Sequence, residues 1–239
     1  MRRRLTSAAS GALASNTSAA VLRWPPRQAQ TRGRMTTSPS TTPLLSLATP
    51  AAWHAWLGAH HARSTGVFLR LAKTSGPTSA RTRTPLTYAA ALEVALAWGW
   101  IDGQKRALDA GAWLQRFSPR TPRSGWSKIN RAKAEALIAA GTMEAPGLAE
   151  VERARQDGRW DRAYDGARAA TVPPDLAKAL AGDAKARAFF EKLDGANRYA
   201  ILYRLQTAKR PETRARRLES FVDMCARQET LHPPRKTRP

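Results

Sequence analysis

The chain has 239 residues, and a 42% hydrophobic content is enough to bury one large core or two small ones. Forty Lys and Arg against 18 Asp and Glu leave a net charge of +22, a balance that favours anionic partners such as nucleic acid, anionic lipid or acidic protein without selecting among them. The single cysteine, Cys225, excludes an internal disulfide and a thiolate metal cluster, and no apolar run approaches the length of a membrane span.

Residues 1–49 are rich in Ser, Thr, Ala, Pro and Arg, contain no acid and show no sustained periodicity, so they read as a disordered basic extension. The preferred reading starts translation at Met35. A transit-like or secretory leader is the alternative, although Thr6 to Leu22 is too interrupted by polar residues for a good apolar core of a signal. No Asp or Glu precedes Glu93, whereas twelve Lys and Arg do, which is over half of the excess charge. A GC-rich genome raises Arg without any selection for binding, and that explanation weighs as much as a polyanion role.

Residues 50–170 read as an α+β core domain. Thr49-Pro50 predicts a helix start with Trp53, Trp56, Leu57 and His60 on one face, and the alternating run Val67 to Leu71 predicts a strand. A Gly- and Pro-bearing loop, Thr74 to Pro85, follows. Thr87 then caps a helix with Leu92, Ala95 and Leu96 inward, and Gly99 is its left-handed stop. Trp100 and Ile101 read as buried extended chain that brings Asp102 to the edge of an aromatic cluster. A carboxylate there has to be paired, hydrogen-bonded or partly wet. Gln104 to Leu108 and Ala112 to Phe117 flank Asp109-Ala110-Gly111 as a hairpin, with Trp113, Gln115 and Phe117 on one face and Leu114 and Arg116 on the other.

Pro119 and Pro122 predict that Ser118 to Trp126 is an irregular basic loop carrying Arg120 and Arg123. Ser127 or Asn130 caps the next helix, with Ile129, Ala136, Leu137 and Ala140 inward and Gly141 as its stop. Free amides at that helix start, beside Arg116, Arg120, Arg123, Lys128 and Arg131, are the ingredients of an anion site. The bland alternative weighs about two to one against it: prolines that set a turn, a Ser that caps, a Trp that fills the core and arginines in water or paired with Asp102. Pro146 opens another helix with Leu148, Val151 and Ala154 inward, ending near Gly158, and Asp161, Asp165 and Gly166 mark turns.

From residue 171 to 228 the pattern is an all-helical module. Pro174 to Leu180 forms one helix, Asp183 caps another that buries Ala186, Phe189, Phe190 and Leu193, and Gly195 ends it. Asn197 caps the next, with Ile201, Leu202 and Leu205 inward, and Pro211 opens the last. There Leu218, Phe221, Val222 and Cys225 share a face, which makes Cys225 a packing residue. Arg210, Arg214 and Arg217 recur at helical spacing and read as a solvated or ion-paired face by about three to one over a phosphate-binding helix. Residues 229–239 read as a disordered tail.

Three separated motifs, Trp98-Gly99-Trp100-Ile101-Asp102-Gly103, Arg116-Phe117-Ser118-Pro119-Arg120 and Ser124-Gly125-Trp126-Ser127-Lys128-Ile129-Asn130, resemble the YdeI/OmpD-associated (bacteriocin-protection) family. Val172-Pro173-Pro174-Asp175-Leu176, Ala188-Phe189-Phe190 and the run Ala208 to Arg217 look like that family's C-terminal module. The resemblance spans about Trp53 to Gln228. It implies bacteriocin protection, tolerance of cationic peptides and association with an outer-membrane porin, and it carries over no catalytic residues. The chain departs from the family in its long N-terminal extension and in having no acid around Trp53 to Leu57.

The resulting expectation is an α+β fold, with a small, mostly antiparallel sheet and helices followed by an all-helical C-terminal module, in a cytoplasmic protein or one with a cleaved leader. Its favoured function is non-enzymatic: a groove of Trp98, Trp100, Asp102, Arg116, Arg120, Arg123, Ser124, Trp126, Ser127, Lys128 and Asn130 that takes a small anion or an acidic protein, with Lys209 and Arg214 as candidates from the C-terminal module. An enzyme using Asp102 as general acid or base beside cationic stabilisers is the first alternative. Non-specific nucleic-acid binding through the basic termini is the second. No cofactor is expected. No metal is expected either, since His54, His60, His61 and His232 fall in no ligand spacing.

Overall fold

The computed structural model describes residues 42–73 and 86–233. The Thr74 to Pro85 loop and most of both basic termini lie outside the described residues. The order of elements is β1 (Leu44–Leu45), α1 (Pro50–His60), β2 (Val67–Ala72), α2 (Tyr88–Ala97), β3 (Trp100–Ala107), β4 (Ala112–Pro119), α3 (Lys128–Ala139), α4 (Ala145–Gln156), α5 (Pro174–Ala181), α6 (Ala184–Lys192), α7 (Gly195–Gln206) and α8 (Pro211–Ala226). The sheet runs β1-β2-β4-β3, with β1 parallel to β2 and the other two pairings antiparallel. This is the expected α+β sheet followed by an all-helical segment. The fourth strand is an addition. Residues 42–49 are ordered where an unstructured extension was expected, and the Phe68 amide donates to the Pro43 carbonyl.

Short polar side chains start several helices as the sequence requires. Thr49, Thr87, Ser127 and Asp183 each accept a backbone amide of the first turn. Gly99, at φ +72°, ends α2 in the left-handed region, and its carbonyl accepts the Arg120 amide, which ties the β4 exit to the β3 entrance. The β3/β4 hairpin turns at Asp109, whose carboxylate accepts the Gly111 amide.

Around these elements two apolar clusters form. In the first, Trp53, Leu57, Val67, Leu69, Leu96, Trp100, Phe117 and Trp126 are buried together, and the Trp53 ring meets Trp100 edge-on at 6.1 Å. The second gathers Leu176, Phe190, Ile201, Leu205, Phe221 and Cys225 from α5 to α8. Cys225 therefore packs, as its helix face requires, and burial pushes its thiol pKa up.

Several details differ from the sequence reading. Strand β4 continues through Ser118 and Pro119, which pair with Ile101 and Trp100; a proline is tolerated in a ladder at its end. In α3 the inward residues are Asn130, Ala134 and Leu137, whereas Ile129 is 56% exposed. Leu148 of α4 is exposed too, and Gly147, Glu150, Val151 and Ala154 face inward. Gly195 does not end α6: it begins α7, with Asp194 as the cap in place of Asn197. Asn197 is instead buried and exchanges two hydrogen bonds with the His232 backbone, so residues 229–233 fold back on α7 instead of fraying.

Candidate functional site

The β4 exit and the 121–126 turn place Arg120 first. Only 6% of it is exposed, its guanidinium lies 3.6 Å from the centre of the Trp126 ring, and its Nη1 donates to the Gly125 carbonyl at 3.1 Å. Its Nε and Nη2 are shielded from solvent and have no hydrogen-bond partner among the described residues. Those two N–H groups form the side-on edge with which an arginine grips a carboxylate or phosphate. Burial lowers the Arg120 pKa to about 10, with Arg159 acting in the same direction, while Glu150, Tyr164 and Asp102 oppose it.

Beneath the turn lies a second buried guanidinium. Arg159, 7% exposed, donates from Nη1 to Glu150 Oε1 at 2.9 Å and to the Ser124 carbonyl at 3.0 Å, and from Nε to Asp157 at 2.7 Å. Glu150, 2% exposed, also meets Arg153 at 3.0 Å. Arg159, Arg153, Glu150 and Asp157 thus balance one another in charge. Arg120 is left over: it makes no ion pair among the described residues. An uncompensated buried cation is costly, which sets this position apart from ordinary surface arginines.

Asp102 accepts the Tyr88 hydroxyl at 2.8 Å and makes no ion pair with Arg116, Arg120 or Lys128 among the described residues. Its field reaches Arg120 and Tyr164 but its oxygens do not. Burial and the Asp102 charge together push the Tyr88 phenol well up, so it stays protonated as the donor. Beside Asp102 the β3/β4 register shifts, and the buried Gln115 amide fills the irregularity by donating to the Gly103 carbonyl at 2.8 Å.

The other expected site residues divide by location. Trp126, Ser124 and Arg120 share the turn, Ser127 caps α3, and Asn130 is buried on its first turn. Lys128 points to Asp165, at 2.8 Å from Oδ1. Arg116 donates to the Thr65 carbonyl, and Arg123 is exposed. Trp98 packs against α1, its ring 5.3 Å from His54 and 4.7 Å from His61, while Trp100 lies in the core against Trp53 and Trp56. Lys209 is exposed; Arg214 grips Asp175 with two bonds of 2.8 Å inside the helical segment. Arg120 and Trp126 therefore meet, whereas Trp98, Lys209 and Arg214 have other neighbours.

Glu150, Arg159 and Tyr164 are participants that the sequence did not single out. Glu150 and Arg153 stand three residues apart on α4, a spacing at which charged pairs usually lie on a solvated helix face. Tyr164 joins the turn to the helical segment: its amide donates to the Trp126 carbonyl, its carbonyl accepts the Lys128 amide, and its ring meets Tyr203 of α7 edge-on at 4.9 Å. Burial, with Tyr203 and Tyr199 beside it, pushes the Tyr164 phenol up to about 12, although Arg120 pulls the other way.

Among the described residues no group of three or more His, Cys, Asp or Glu could hold a metal ion, and no helix is long and apolar enough to cross a membrane. Residues 45–150 match the family model of a domain of unknown function (DUF8412), and residues 169–228 match that described as bacteriocin-protection, YdeI or OmpD-associated. No curated protein and no solved structure matches the chain.

Proposed function

We propose, from the membership of residues 169–228 in the bacteriocin-protection, YdeI or OmpD-associated family, that this is a non-enzymatic protection protein that works by binding a small anion at the Arg120–Trp126 turn. The observation that carries the reading is the Arg120 guanidinium, buried without an ion-pair partner and with its Nε/Nη2 edge unclaimed. A carboxylate or phosphate on that edge supplies the missing charge and two parallel charge-assisted hydrogen bonds. The edge is covered, so the ligand enters by displacing its cover, and the Ser124 to Trp126 segment is the adjacent part of the turn. An acidic side chain of a protein partner offers the same chemistry. An outer-membrane porin as that partner rests on the family description alone.

The test is thermal stability of the full chain titrated with acetate, inorganic phosphate and sulfate at constant ionic strength. At least one of them raises the melting temperature saturably, as a ligand of the folded form must, and Arg120→Met abolishes that response. No saturable response, or an equal one in Arg120→Met, overturns the reading.

A further inference from the structure

A second hollow lies away from the Arg120 turn. Helices α1, α2 and α3 and the segment leading into α4 enclose an open groove of about 480 Å³. That volume is within the range of roughly 300–1,000 Å³ found for small-molecule sites. Its floor is apolar, built from Ala90, Val94 and Ala97 of α2 and Leu137 of α3. The polar side chains that line it are His54, Glu93, Thr142 and Glu144.

The sign of this lining runs against the rest of the molecule. In a chain with 40 Lys and Arg against 18 Asp and Glu, the groove carries two carboxylates and, among the described residues, no Lys or Arg. Of the helix ends, α1 and α4 bring their N-termini to the groove and α3 its C-terminus, while α2 lies along it from Ala90 to Ala97, so the negative sign of the lining comes from its two carboxylates alone. Glu144 occupies the cap position of α4 yet makes no capping bond. Its Oε1 instead accepts His54 Nε2 at 2.9 Å across the groove entrance, where both side chains are substantially exposed. Glu93 makes no ion pair among the described residues.

We propose that this groove binds a small organic cation with an apolar body, of the arylalkylammonium kind. The body covers Val94, Ala97 and Leu137, and the ammonium group lies between Glu93 and Glu144, taking over the Glu144 oxygen that His54 holds. Apolar burial supplies affinity, and the two carboxylates select the charge.

Isothermal titration of the full chain with 2-phenylethylamine, 2-phenylethanol and phenylacetate tests this. The amine binds saturably, at least tenfold tighter than the alcohol, and the carboxylate does not compete with it. The double variant Glu93→Gln/Glu144→Gln weakens the amine at least tenfold and leaves the alcohol unchanged; Glu144 makes no capping bond to lose. Ala90→Arg, which tethers a guanidinium over the floor, is the second variant and abolishes amine binding. Equal affinity for amine and alcohol, no saturable binding of the amine, or full amine affinity in both variants overturns the proposal. Arg120→Met leaves amine binding intact, so this result and that of the anion titration are separable.

Discussion

Glu150 Oε1 accepts a hydrogen bond from Arg159 Nη1 at 2.9 Å, and both side chains are almost sealed from solvent. The pair is the centre of the charge balance under the 121–126 turn. Arg159 uses the same nitrogen to hold the Ser124 carbonyl, so the turn that presents Arg120 and Trp126 is fastened from below.

Glu150→Gln keeps the shape of that pair and removes its negative charge. It leaves two buried guanidinium groups with no buried carboxylate, and uncompensated buried charge of this kind costs about 3–5 kcal/mol. Urea denaturation of the variant against the unaltered chain reads the loss as a lower midpoint at unchanged slope.

Arg120→Met has the opposite character. The remaining buried network is already balanced, and the thioether chain keeps packing on Trp126 while discarding the desolvated charge. Stability stays within about 1 kcal/mol of the unaltered chain or rises, as replacement of buried charges by apolar groups often allows. A loss above about 3 kcal/mol in the same denaturation experiment would show that Arg120 is a structural cation with no energetic debt for an anion to settle.

Gly147→Ala tests how α4 meets α2. A Cβ at that position runs into the Ala97 carbonyl oxygen and crowds the Met143 sulfur, and a backbone atom cannot swing away as a flexible side chain can. Overpacking of this sort costs roughly 1–3 kcal/mol, outweighing the better helix propensity of alanine. The melting temperature falls accordingly.

Acid weakens the helical segment through Asp175. The two hydrogen bonds from Arg214 hold its carboxyl below the usual range, against an opposing push from burial. Because the folded value lies below the unfolded one of about 3.9, the contribution is whole above that pH and is lost as the pH falls through the folded value. The pair is partly exposed to solvent, so its worth is small. Asp175→Asn lowers the midpoint slightly at pH 7, and the difference from the unaltered chain vanishes under strong acid.

Much of this architecture is written in short-range chemistry. Thr49, Thr87, Ser127 and Asp183 are helix caps because a short oxygen-bearing side chain precedes an apolar period, and Gly99, Gly141 and Gly158 are left-handed stops. Where two such signals compete, sequence alone misjudges: Asp194 and Asn197 stand three residues apart, and the first one caps. Strand β1 has two residues and so offers no alternation to read. Ile129 and Leu148 are apolar yet exposed, since a helix can carry a large residue outward at modest cost. At the site, the meeting of Arg120 and Trp126 was legible from their shared turn. The burial of Glu150 and Arg159 was not, because a buried ion pair and a surface one are spelled with the same letters.

Asp165 gives the chain its junction: Oδ1 meets Lys128 of α3, Oδ2 and the amide engage Gln206 of α7, and the carbonyl accepts the Tyr199 hydroxyl. It lies, with Arg159 and Tyr164, in the interval 151–168 that neither family model covers. A gene fragment trimmed to the first match would end on Glu150 and orphan it from its guanidinium, and one trimmed to the second would begin past the clasp. Recombinant pieces of this protein should therefore be cut outside that interval, since the borders drawn by homology run through its fasteners.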